Sequence, residues 1–169
     1  MAVNAARRAR PLGVAGLVLA LLIVALLGAA LWLRSALAQA QSEADDREAA
    51  MRAAGTHALD LLSVGHRTVD SDIKRILDTS TGAARAEYAR NVTTLKETTL
   101  KSKVLQTGAL RASGLVSMKG NVARVMVVGD AVIRWEGSKQ PPQERFYQWN
   151  MEVTKIGAAW LVSKTELVL

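Results

Sequence analysis

The 169-residue sequence has no cysteine and only two histidines, His57 and His66. Without cysteine there are no disulfides, thiolate nucleophiles, zinc–thiolate sites or iron–sulfur clusters, and burial alone must hold the fold. Two histidines leave little material for a metal site or for imidazole general-base chemistry. Neither has cysteine or acidic ligands at suitable spacing, so His57 is expected on a helix surface and His66 in a loop. GxSxG, HExxH, Walker-type and GxGxxG sequences are also missing, and the glycines are scattered. No Lys/Arg cluster recurs beside stacking aromatics, which argues against nucleic acid as a partner. No catalytic, cofactor-binding or metal-binding residues emerge, and the expectation is a protein that is not an enzyme.

What the sequence does hold is one long apolar run, residues 12–33, free of charge. The formal charge of +7 owes much to its flanks, since Arg7, Arg8, Arg10 and Arg34 border the run while all 15 acidic residues follow it. From Ser35 onward 18 basic residues stand against those 15 acidic ones. As a helix rising 1.5 Å per residue the run can cross a hydrocarbon layer of ~30 Å. Three arginines precede it and the next charges after Arg34 are Glu43, Asp45 and Asp46, so residues 1–11 are expected in the cytoplasm and the rest outside it. Trp32 then sits at the outer interface. Ala36-Leu37-Ala38 and Ala38-Gln39-Ala40 have the small-x-small pattern of a cleavage site, so a cleaved signal peptide is the alternative; the run exceeds the ~7 to 15 residues of a signal h-region. A buried core helix is a third reading.

Residues 34–62 read as a helical stalk entering a domain of residues 63–169. Glu43, Asp45, Asp46 and Glu48 suit a helix N-terminus, Met51, Ala54, Ala58, Leu61 and Leu62 make a stripe, and Gly55 marks a bend. Asp70 is expected to cap a short second helix ending near Thr79-Ser80-Thr81-Gly82. A third, from about Ala83 to Lys103, carries Tyr88, Val92, Leu95 and Leu100. From Val104 the spacing turns to alternation, giving strands over residues 104–118, 122–135, 144–155 and 159–169, with turns at Lys119-Gly120-Asn121 and Ile156-Gly157-Ala158. In the second strand the odd positions from Ala123 to Trp135 are all apolar. Three helices on one face of a curved four-stranded antiparallel sheet, an α+β domain, follow.

Asp130 is the one carboxylate placed to act as a base, if desolvation raises its pKa; Arg124 and Arg134 share its face, so a solvated or salt-bridged state is expected. Tyr147, Trp149 and Trp160 read as core aromatics before pocket lining. Arg85, Arg90, Lys96, Lys101 and Lys103 are interleaved with Glu87 and Glu97, the pattern of a solvated face. Asn91-Val92-Thr93 matches a glycosylation acceptor pattern that is common by chance.

Several of these stretches together resemble one family. They are Ala58-Leu59-Asp60-Leu61-Leu62-Ser63, Thr68-Val69-Asp70-Ser71-Asp72, Leu77 with Thr81-Gly82, Glu87-Tyr88, the strand region Ala123 to Val128, and Ala159-Trp160-Leu161-Val162-Ser163 before Leu167-Val168. In that order they are similar to the Mce-associated membrane proteins of mycobacteria and related actinobacteria, named from the mammalian-cell-entry loci. Val64-Gly65-His66 stands where the family often has an aromatic. The resemblance implies a nuclear-transport-factor-2-like or cystatin-like domain on a single-pass anchor, similar in shape to inner-membrane scaffold components of type IV secretion machines. It also implies an accessory that helps assemble or stabilise Mce transporters importing lipids or sterols, and it carries over no catalytic residue. Three readings follow. The first is a scaffold bound to Mce subunits or other envelope proteins, with self-association open. The second is a lipid carrier with a cavity lined by Trp149, Met151 and Trp160. The third is an isomerase-like or dehydratase-like enzyme using Asp130.

Overall fold

The computed structural model describes residues 10–168, with side chains from Gly16 onward; the orienting Arg7 and Arg8 and the final strand residue Leu169 lie outside the described residues. Among the described residues three helices precede four strands: α1 Arg10–Leu62, α2 Val69–Asp78, α3 Gly82–Ser102, β1 Val104–Lys119, β2 Val122–Trp135, β3 Gln143–Ile156 and β4 Ala159–Leu167. The chain divides into two compact units, one ending at Ala44 and one starting at Asp45.

The first unit is the apolar part of α1. Its leucines point outward all round, with Leu21 62%, Leu26 69% and Trp32 71% exposed, and none of the run is buried within the protein. Among the described residues this is the one helix long and apolar enough to cross a membrane.

In the second unit the four strands form one antiparallel sheet in the order β1-β2-β3-β4, as the alternation predicts. Odd-numbered β2 residues Ala123, Val125, Val127, Ala131 and Ile133 are buried against the helices, joined by Trp149, Met151 and Val153 of β3 and Trp160 and Val162 of β4. The hairpins β1–β2 and β3–β4 close through two-residue turns in which Gly120 (φ 56°) and Gly157 (φ 62°) adopt the left-handed conformation. Register shifts interrupt β1 between Leu110 and Ala112 and between Leu115 and Ser117. Each adds one residue to the strand and re-aims its side chains, an effect that alternation counting did not anticipate.

α1 enters this core on a stripe of small residues. Ala50, Ala54 and Ala58 are fully buried and Leu62 nearly so, at i, i+4 spacing. Short side chains let the helix axis approach the sheet. α1 continues as helix through Gly55, where the missing side chain leaves room for Leu110, whose Cδ2 would lie 3.0 Å from a Cβ there. Leu62 then drops onto two sheet glycines, Gly108 and Gly129.

One expectation about the helix ends is corrected. Asp70 does not cap α2: Thr68 holds the N-cap position, and Asp70 is an exposed first-turn residue paired with Lys96 at 2.6 Å. Leu95 and Leu100 of α3 are 40% and 44% exposed, while Ala84 and Thr99 are buried. α3 packs along β4 and buries Ala84 and Thr99, and its Tyr88 is half-buried against the core.

Candidate functional site

His57 lies in the interior, not on a helix surface. Its side chain is fully buried between α1, the C-terminus of α2, α3 and β4. The hydroxyl of Thr79 donates to the Arg75 carbonyl at 2.8 Å, so His57 Nδ1–H donates to Thr79 Oγ1 at 2.8 Å. Nε2 lies 3.2 Å from the Tyr88 hydroxyl, which lies 3.2 Å from Thr165 Oγ1. Every ring nitrogen is used by a neutral imidazole. Burial pushes the His57 pKa down to about 4 and raises that of Tyr88. The group links four elements; His57 itself is sealed from solvent, while Thr79, Tyr88 and Thr165 are half-buried.

That position makes folding pH-dependent. The folded pKa lies below the unfolded value near 6.5, so protonation favours the unfolded chain. The contribution is full above about pH 6.5 and is lost as pH falls toward 4, by about 3 kcal/mol at most. Thermal unfolding of the detergent-solubilised chain between pH 7.5 and 4.5 should show this slope, and His57→Asn should flatten it.

A second buried cluster holds the α1–α2 connection. One oxygen of Asp72, 1% exposed, accepts the Gly65 N–H at 2.9 Å and the Thr68 hydroxyl at 2.8 Å; the other accepts Arg75 Nη2 at 2.8 Å. Arg75 Nε reaches Asp60 at 3.1 Å, tying α2 back to α1. Nearby, the loop residue His66 donates from Nδ1 to the Val104 carbonyl at 3.1 Å, and its Nε2 lies 2.6 Å from Glu136. Arg67 also pairs with Glu136 and, with His66, holds that carboxyl below its usual range. At the other end of the sheet Lys155 Nζ chelates Asp46 at 2.6 and 2.8 Å, and Trp160 Nε1 donates to the same carboxylate at 3.3 Å. Lys155 and, after it, Trp160 hold the Asp46 carboxyl below its usual range. These polar groups bind elements of the fold to one another.

Asp130 is ion-paired, with a partner the sequence did not indicate. Arg111, the extra residue at the first β1 bulge, pairs with both of its oxygens, the second at 3.0 Å, in place of Arg124 or Arg134. The guanidinium holds the Asp130 carboxyl below its usual range, opposite to what a general base of raised pKa requires. Trp149 and Trp160 are each 7% exposed in the core, and Tyr147 stacks on Trp149 with centroids 5.2 Å apart. Met151 is 1% exposed among them, so the space expected for an apolar ligand is filled by side chains. Arg85, Arg90, Lys101 and Lys103 are exposed on or just after α3, while half-buried Lys96 reaches back to Asp70. Asn91 is exposed on α3. Among the described residues no three His, Asp or Glu side chains are grouped to hold a metal, and no buried side-chain nitrogen or oxygen lacks a partner.

What remains open is surface. A groove of about 180 Å³ between the end of α1, α2 and α3 is lined by Leu61, Ile73, Ile76, Tyr88, Val92 and Leu95. On the sheet face away from the helices Val116, Met126 and Phe146 are exposed, Phe146 by 76%.

Comparison with known proteins bears on this arrangement. A family model described as "Uncharacterized protein Rv1363c/MT1408-like" matches residues 12–169. The chain is 29% identical to the Rv1363c protein of Mycobacterium tuberculosis over 131 residues, 75% of this chain and 49% of that one, so it spans about half the length of that relative. Among solved structures, the VirB8 protein of Agrobacterium tumefaciens superposes with a TM-score of 0.58 at 9% identity, covering 73% of this chain and 92% of that one. An IcmL-like type IV secretion system protein of Legionella pneumophila gives 0.56 at 13%, with 70% and 88% covered. A putative scytalone dehydratase of Novosphingobium aromaticivorans gives 0.54 at 16%, with 73% and 86% covered. These likenesses show a nuclear-transport-factor-2-like fold, one that carries both secretion-system components and an enzyme-like relative.

Proposed function

We propose that this chain, which belongs to the Rv1363c/MT1408-like family, is a single-pass membrane protein whose folded unit acts outside the cytoplasm as a non-enzymatic assembly factor. In this reading residues 12–33 form the anchor, residues 1–11 stay in the cytoplasm, residues 34–62 lead into the domain, and residues 63–169 complete it. Exposed leucines on every side of the first unit favour a lipid environment, and the arginine asymmetry favours this orientation.

The observation that carries the non-enzymatic part is the use of each candidate catalytic group as a strut. Asp130 is clamped by Arg111, and His57 is neutral and sealed between four elements. Fold likeness alone does not decide between the enzyme and the assembly protein. On the earlier resemblance, the partners are subunits of an Mce-type lipid or sterol importer, and tethering raises the effective concentration at which a weak partner is met.

Extraction of the tagged chain from its native host in mild detergent, with mass spectrometry of co-purified proteins and lipids, tests this. Mce subunits in the eluate are the expected result, and their absence in favour of a stoichiometric lipid would refute the assembly role. The α1–α2–α3 groove gives that lipid-carrier reading a specific site, in place of the filled space around Trp149, Met151 and Trp160.

A further inference from the structure

We propose that the free edge of β3 between Gln143 and Tyr147 binds an extended, acidic segment of a partner protein by strand addition. This rests on the reading that the domain works by binding other proteins, and it names where and what.

Among the described residues β3 extends past β4. β4 pairs with it from Ile156 to Trp149, where Leu167 stands opposite, and the last bond from the described residues runs from the Val168 N–H to the Gln148 carbonyl at 2.8 Å. That bond fixes the direction of the main-chain groups. Because they alternate along a strand, those of Phe146 and Glu144 also face away from β2. Among the described residues nothing pairs with them there. β2 covers the opposite edge as far as Gln143, so the backbone is held extended and its register is set.

Unpaired N–H and C=O groups in a row select one kind of occupant, another extended main chain. There is space for it. An open concavity of about 520 Å³ lies in line with the end of β4, between Phe146, Tyr147 and Gln148 on one side and Leu167 and Val168 on the other.

The side chains define the occupant further. Phe146 projects from the outer sheet face, where a partner residue beside it gains by being apolar. Arg145 lies on the helix-side face next to Tyr147, is exposed, and has no ion pair among the described residues. A carboxylate in the adjacent strand satisfies it.

A second copy of this chain fits less well. Antiparallel self-pairing centred on Arg145 sets that residue against its own counterpart, a like-charge contact. Centring on Phe146 brings Glu144 against Gln148, whose carbonyl Val168 already occupies. Glu144 and Arg145 thus select a partner while discouraging self-association, and Pro141-Pro142 stands just before the edge.

The test uses the full chain in detergent micelles with three synthetic heptapeptides that alternate valine with aspartate, serine or lysine. The aspartate peptide should slow amide exchange at Glu144 and Phe146 and bind about fivefold or more tightly than the lysine peptide. Phe146→Pro removes an N–H that β2 does not use, so it should abolish peptide binding and leave the unfolding transition in place. Arg145→Glu should reverse the charge preference, which keeps the test open should the proline variant misfold. No protection by any peptide, or equal binding of the aspartate and lysine peptides, overturns the proposal. So does protection of both amides without peptide that grows with protein concentration, since a second copy would then fill the edge. The peptide assay reads this edge alone, so its failure is distinct from a failure to capture envelope partners.

Discussion

Asp72→Ala is expected to destabilise the second unit by about 3 kcal/mol. The carboxylate is nearly inaccessible and serves three donors from the chain around it. Its removal leaves the buried Gly65 N–H and the Thr68 hydroxyl without an acceptor, and an orphaned buried donor costs about 1 to 3 kcal/mol. Arg75 suffers less, because it is half-exposed and keeps Asp60. Asp72→Asn retains the shape and part of the acceptor capacity, so its cost should fall between alanine and wild type. Urea unfolding of the three proteins in the same detergent measures this. A loss below about 1 kcal/mol for the alanine variant would mean that the connection is held by other contacts.

Gly108→Ala should cost about as much for a different reason. A Cβ at this position would stand 2.3 Å from Leu62 Cβ and 2.9 Å from the Leu62 carbonyl oxygen. Neither atom moves by side-chain rotation, so the end of α1 must lift from β1, and overpacking of this kind costs about 3 kcal/mol. The added Leu62→Ala change should give no rescue, because the clashing Cβ and carbonyl remain. Gly114→Ala is the control: nothing lies within 4 Å of its added Cβ, and an effect within about 0.5 kcal/mol is expected. A midpoint for Gly108→Ala that matches the control would contradict the close α1–β1 approach on which the core is built.

The strands were legible because the signal that predicts them, an apolar residue at every odd position of β2, is also what buries them. The spacing of Ala54, Ala58 and Leu62 in α1 likewise follows from the face that meets the core. His57 was not legible. Its partners lie 22 and 31 residues away in sequence, and no local pattern distinguishes a buried histidine with two hydroxyl partners from an exposed one on a polar helix. Arg111 escaped for a related reason: strict alternation gives it no special place, and only the bulge turns it toward Asp130. Gly108 and Gly129 are the floor on which Leu62 rests, a close approach that no local pattern marks. The open edge of β3 depends on two strands ending at different points, information that no single strand contains.

The absence of cysteine supplies the means to test the central claim, that the folded unit is held outside the cytoplasm by an intact N-terminal anchor. Single cysteines at Lys139, exposed in the loop between β2 and β3, and at Asn4, before the apolar run, would each be the sole thiol in the chain. Intact cells treated with a membrane-impermeant maleimide should label full-length, membrane-bound Lys139→Cys protein, and should leave Asn4→Cys unlabelled until the membrane is opened. Labelling of Asn4→Cys but not of Lys139→Cys, or recovery of the labelled domain as a shorter soluble chain, would contradict the account.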